Sequence, residues 1–237
     1  MRTALDQGTA EKVTGDCRRK YFYYLCTRKT YTTMNNKKAT ILIILLLVVD
    51  QVVKLLVKCN MTLGQSIHVA GDWFQLYFVE NPGFAYGMQL GGGQWGKLAL
   101  SLFRIVASCG IGWYIWDLIN RKKAPAGVVV GFSMILAGAI GNIIDSAFYG
   151  LLFSESTYTS VATFLPEACG YASFLQGKVV DMLYFPLFTI REMPSWLGWV
   201  ADADGSWTFF SPIFNIADSY ITCAVVYLIL FQSRYFK

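Results

Sequence analysis

Four apolar runs divide the chain, at about Ala39 to Val57, Lys97 to Ile119, Ala126 to Tyr149 and Ile213 to Phe231. Each is close to the roughly 20 residues that a helix needs to cross a hydrocarbon layer. The pattern predicts an α-helical polytopic membrane protein with four transmembrane helices. Residues 1–33 are polar and basic and hold no apolar stretch long enough for a secretion signal. They are expected to stand apart, as a disordered extension or an over-called start, since Met34 opens a natural beginning of its own. The folded region is expected at 34–237.

Between the first two runs the chain turns polar without gaining a basic block. There Trp73 to Val79 is dense in aromatic residues and predicts a strand, and Asn81-Pro82-Gly83 supplies proline then glycine for a type II turn. Aromatic rings of this density suit a small sheet lying on the headgroup layer. A second, longer connection at 151–211 is mixed, aromatic and weakly acidic.

Charge fixes the orientation. Nine Lys and Arg precede Ala39, three stand at 121–123 and two close the chain, so fourteen of 20 fall in these short blocks. The positive-inside rule makes them cytoplasmic, with both termini inside and the connections at 59–95 and 151–211 outside. Composition agrees: 55% of residues are hydrophobic and 15% charged, against roughly 25% charged in a soluble domain. A net charge of +5 is therefore a matter of topology, and no nucleic-acid partner is expected.

Polar residues inside the runs carry the candidate chemistry. A carboxylate at membrane depth costs on the order of 2.5–3.5 kcal/mol and marks a functional site by default. Asp50 and Lys54 stand four apart on one helical face, either as a snorkelling lysine with its acid partner or as support for a site. Gly138, Gly141, Asn142 and Asp145 form one stripe at spacings of three and four, suited to close helix packing and hydrogen bonds across it. Asn215, Asp218, Ser219 and Thr222 form another, about a turn inside the outer end of the fourth run. Asp181 enters at the same depth from the outer connection. Two carboxyls sharing a site share a proton, so one serves as base toward water and the other as acid toward a carbonyl. Aspartic peptide hydrolysis requires that arrangement.

At these residues the chain resembles a known family. Asp50-x-x-x-Lys54, Asn81-x-Gly83-x-Ala85-Tyr86-Gly87, Gly138-Ala139-x-Gly141-Asn142-x-x-Asp145, Val179-Val180-Asp181 and Phe214-Asn215-x-Ala217-Asp218 are similar to the five ordered motifs of bacterial lipoprotein signal peptidase, or signal peptidase II. The likeness extends from about Met34 to the end. It implies an aspartic endopeptidase of the bacterial cytoplasmic membrane that cuts prolipoproteins just before their diacylglyceryl-modified cysteine. By position, Asp181 and Asp218 would be the catalytic dyad. Asp50, Lys54, Asn81, Gly83, Gly138, Asn142, Asp145, Asn215 and Ala217 would line or support the substrate site, under a sheet near residues 70–87. The implied partners are a lipid-modified prolipoprotein and membrane lipid; a monomer without metal or organic cofactor is expected.

The chain departs from the family pattern in places. Ser146 follows Asp145 where the family has an arginine that helps order the site, and Lys178 and Arg191 are candidates to supply that charge. Met182 follows Asp181 where Phe is typical, and the outer loops are enlarged at about 151–178 and 183–211. Rival chemistries lack their motifs: no His-Glu-x-x-His or Gly-x-Ser-x-Gly occurs, and the single histidine, His68, falls in an outer loop. Cys59 and Cys169 are both external and close enough in topology to bridge. The alternative from another class is a small proton-coupled transporter with Asp50, Asp145 and Asp218 as a relay, against which stands the lack of an internal repeat or broken helix pair.

Overall fold

A computed structural model of the chain describes residues 33–82, 94–167, 169–192 and 205–236. Nearly all of the expected extension at 1–33, and Gly83, Ala85, Tyr86 and Gly87 of the second motif, lie outside the described residues.

Helix α1, Asn36–Asn60, starts at Asn35, whose side chain accepts the Lys38 N–H at 2.9 Å. Its surface is inverted relative to a soluble helix. Asp50, Lys54 and Lys58 are buried, whereas Ile41, Ile44, Leu45, Val48, Val52 and Leu56 are exposed. Only a lipid surround makes that distribution favourable, because charges must then find partners inside the protein. A snorkelling Lys54 is excluded by its 0% exposure.

Two further helices are long and apolar enough to cross a membrane. They are α2, Gln94–Asn120, and α3, Ala126–Ile144, which continues through a π turn at Asp145–Tyr149 and a last turn at Gly150–Leu152. Helix α4, Ile216–Phe231, is apolar but has 16 residues, about 24 Å at 1.5 Å per residue. Among the described residues three helices thus meet the length of a span where four were expected, since Phe214 and Asn215 are drawn into the bridge and cap that precede α4.

Helix α3 packs against the other three helices. Glycine makes this possible: a Cβ at Gly138 would strike the Ala217 carbonyl, and one at Gly141 would lie 2.5 Å from Asp50 Oδ2. Close backbone approach at small residues is how membrane helices gain packing energy. We expect Gly141→Ala to cost about 1–3 kcal/mol through overpacking, read as a lower unfolding temperature in detergent. Gly110→Ala, where nothing lies within 4 Å, should leave that temperature unchanged or raise it slightly.

A three-stranded antiparallel sheet in the order β1-β2-β3 sits beside the helix ends. Strand β1 is Ser66–Ala70, β2 is Phe74–Asn81 and β3 is Val179–Tyr184. The strand expected at Trp73 to Val79 is thus present, and Val79 pairs with Asp181. Phe78, Val180 and Met182 are fully buried against Val57, Tyr149 and Phe153, so Met182 fills an irregular apolar gap as methionine does well. A separate hairpin joins β4, Phe188–Ile190, to β5, Trp207–Phe209.

The insertion at about 151–178 is pinned by charge. Lys58 reaches out of α1 to Glu80 on β2 and, at 3.1 Å, to Ser156. Lys178 binds Glu155 at 3.0 Å and Glu80 at 3.5 Å, and Tyr171 lies under both ammonium groups, at 5.1 and 5.5 Å. Cys59 and Cys169 are both free thiols, so the bridge thought open to them is not made.

Candidate active site

Strand β3 and the first turn of α4 meet at Asn215. This residue caps α4: its Oδ1 accepts the Asp218 N–H at 3.0 Å, while the Asp218 carboxylate accepts the Asn215 N–H at 3.4 Å, a reciprocal capping box. The other end of the Asn215 amide is free for the site. Its Nδ2 donates to Asp181 Oδ1 at 2.7 Å and to Asn142 Oδ1 at 3.2 Å. One fully buried carboxamide thereby connects Asp181 and Asp218.

Each carboxyl has a second amide partner. Asn81, on β2, donates to Asp181 Oδ2 at 3.2 Å, and Asn142, on α3, donates to Asp218 Oδ1 at 2.9 Å. Asp181 is buried and Asp218 is half-buried. Burial pushes the Asp181 carboxyl up to about 7, and the nearby Asp218 pushes the same way, against the hydrogen bonds from Asn81 and Asn215 and the more distant Lys54 charge. A carboxyl poised near neutrality suits general acid–base work.

Behind this pair lies an ionic floor. Lys54 Nζ lies 3.0 Å from Asp50 Oδ2, 2.8 Å from Asp145 Oδ2 and 2.9 Å from Asn142 Oδ1, all of them buried. Asp50 Oδ1 accepts the Ala217 N–H at 3.0 Å, so α1 holds the start of α4. Asp145 Oδ2 also accepts the Val180 N–H at 3.4 Å, so α3 holds the strand that carries Asp181. The π turn beginning at Asp145 widens the helix at that point, and such turns recur at functional sites. Gly177 fits against it, donating to the Ser146 carbonyl at 2.8 Å where a Cβ would meet the Gly150 nitrogen at 2.9 Å.

Sequence reasoning thus selected residues that the fold brings together: Asp50, Lys54, Asn81, Asn142, Asp145, Asp181, Asn215, Ala217 and Asp218 form one network, with Gly138 at its helix contact. Lys178, thought of as the substitute cation, is instead bound to Glu155 and Glu80, and Arg191 is exposed beyond β4. Gln51 was missed. Its Nε2 donates to Asp50, Asp145 and the Gly141 carbonyl at 3.0–3.3 Å, and its Oε1 accepts from Tyr149 at 3.2 Å. The signal was present, since an amide beside Asp50 in an apolar run also needs partners.

The comparisons with known proteins bear on the same segment. Residues 42–234 match the family model described as signal peptidase (SPase) II. A lipoprotein signal peptidase of Porphyromonas gingivalis is 46% identical over 186 residues, 78% of this chain and 78% of its own length. One from Amoebophilus asiaticus is 38% identical over 185 residues, 77% of this chain and 72% of its own. A solved bacterial membrane enzyme shares the fold with a TM-score of 0.54 at 20% identity, over 86% of this chain and 92% of its own. With the family model spanning residues 42–234 and a lipoprotein signal peptidase 46% identical over 78% of both chains, the chain belongs to the signal peptidase II family.

Proposed function

We propose that this protein is an aspartic endopeptidase that removes signal peptides from diacylglyceryl-modified prolipoproteins, cutting just before the lipidated cysteine at the outer face of the bacterial cytoplasmic membrane. That the relatives are lipoprotein signal peptidases supports the peptidase activity and its prolipoprotein substrate. The observation that carries the mechanism is the Asn215 carboxamide, which donates to the Asp181 carboxyl at 2.7 Å and accepts the Asp218 backbone N–H at 3.0 Å, setting the two acids side by side.

Asp181, with its proton held up to about pH 7, donates toward the scissile carbonyl oxygen. Asp218 takes a proton from the attacking water. The water oxygen bonds to the carbonyl carbon; the tetrahedral adduct then collapses with cleavage of the C–N bond, as Asp218 passes its proton to the leaving nitrogen and Asp181 takes back the proton from the former carbonyl oxygen, giving the lipidated cysteine a new free amino group. Asn81, Asn142 and Asn215 hold the two carboxyls in register, while the Asp50, Lys54 and Asp145 cluster fixes the elements that bear them. Helix α4 is the fourth crossing, and the basic blocks keep both termini in the cytoplasm. Incubation of the purified protein with a lipid-modified prolipoprotein should yield a product whose N-terminus is the modified cysteine, and an intact substrate would refute the reading.

Orientation has its own test. Ser156 is buried and so is a poor reporter, but Tyr158 in the same connection is 78% exposed. In a background lacking the native cysteines, Tyr158→Cys should react with an impermeant thiol reagent while Lys122→Cys is protected. The reverse labelling pattern would invert the topology.

A further inference from the structure

A cation that an apolar helix turns toward the protein must serve charges there. In α2, Lys97, Ser101, Arg104 and Ser108 recur at spacings of four, three and four and so share a face. Ser101 and Ser108 are buried and Arg104 is half-buried, whereas Leu102, Phe103 and Val106 are exposed. The start of this stripe is tied to the segment leading into β3: Lys97 donates to the Gln176 carbonyl and Ser101 to the Leu175 carbonyl. That segment is held in turn by α3, through Gly177 to Ser146 and Val180 to Asp145. Arg104 follows Ser101 by about one turn. Its guanidinium lies in the field of Asp218 first, then Asp181, then Asp145.

Resting on the aspartic reading above, we propose that Arg104 is a positioning residue of this site, supplying positive charge from α2 to the Asp181 and Asp218 carboxyls. Among the described residues, the charged groups around the dyad are Asp50 and Lys54 from α1, Arg104 from α2 and Asp145 from α3. Lys54 is already engaged by Asp50 and Asp145, and Lys97 faces Lys178 and Glu80. A cation facing both carboxyls favours the state in which one of them is ionised while the other keeps its proton. Taking it away makes that state form only at higher pH.

The test compares wild type, Arg104→Gln and Arg104→Lys for cleavage of a lipid-modified prolipoprotein across pH, with unfolding temperatures measured in detergent. Arg104→Gln should lower kcat by about tenfold or more with little change in KM, and shift the acid limb of the pH profile upward. Arg104→Lys should restore most of the rate and return the limb. An unshifted limb in folded Arg104→Gln overturns the proposal. Should Arg104→Gln fail to fold, Arg104→Lys decides: retained activity with a wild-type limb supports it, and loss of activity in a folded protein overturns it. Asp181→Asn separates this outcome from the parent reading, because that variant stays active only if the aspartic mechanism itself is wrong.

Discussion

Asp181→Asn should reduce cleavage on the order of a thousandfold while leaving the protein folded and able to bind prolipoprotein. Asn matches Asp in shape and keeps one acceptor for Asn81 or Asn215, but it neither carries nor delivers the proton. Because Asp181 and Asp218 act as a unit, adding Asp218→Asn should cost little more. The stability effect has a definite sign. The folded carboxyl titrates near 7 and the unfolded one near about 3.9, so the native state holds the proton more tightly. Its contribution to stability is complete below about pH 3.9 and is lost as pH rises through 7. Asp181→Asn should therefore unfold at a higher temperature than wild type at pH 8 and show no such advantage at pH 4. Wild-type activity should fall as pH rises past about 7, with limbs belonging to the pair. Substantial cleavage by Asp181→Asn in a pure preparation would end the aspartic assignment.

Lys54→Met is expected to have the largest effect on folding. It removes the one ammonium between Asp50 and Asp145, which are 1% and 0% exposed, and leaves two buried carboxylates facing each other. Breaking a buried pair from one side costs about 3–5 kcal/mol. Since Asp50 holds the Ala217 N–H and Asp145 holds the Val180 N–H, the loss should spread to both strand β3 and the start of α4. Yield and unfolding temperature should drop together with activity. Combining Lys54→Met with Asp145→Asn removes one uncompensated charge and should recover part of the folding without recovering the rate. A Lys54→Met protein as stable as wild type would show that the floor is solvated.

Features governed by local spacing were legible in the sequence. Asp50 and Lys54 announced themselves by a four-residue interval in an apolar run, and Asn215 with Asp218 by the polar start of another. Both pairs are found, one as an ion pair and the other as a capping box. What was illegible depends on partners distant in sequence. Asp181 read as a residue entering from a loop, yet it sits on a strand that exists only because β2 pairs with it. The π turn after Ile144 follows from contact with Gly177 and the strand, which no periodicity encodes. Lys178 looked like a spare cation near Asp181, but a strand alternates its side chains and the insertion brings Glu155 to meet it. The start of the fourth apolar run was read three residues early, because Phe214 is apolar for the sake of a bridge to Leu183 and not for helix.

The amide bridges of the site carry one more consequence. Between the Lys54 cluster and Asp218 stands Asn142, and between Asp218 and Asp181 stands Asn215. Carboxamides donate and accept hydrogen bonds but do not release and retake protons as carboxyls, imidazoles or water chains do. The buried cluster of Asp50, Lys54 and Asp145 is therefore joined to Asp218 through a carboxamide rather than through a proton-carrying side chain. On the proposed aspartic mechanism, this arrangement keeps the proton exchange of Asp181 and Asp218 apart from the charges that hold the helices together.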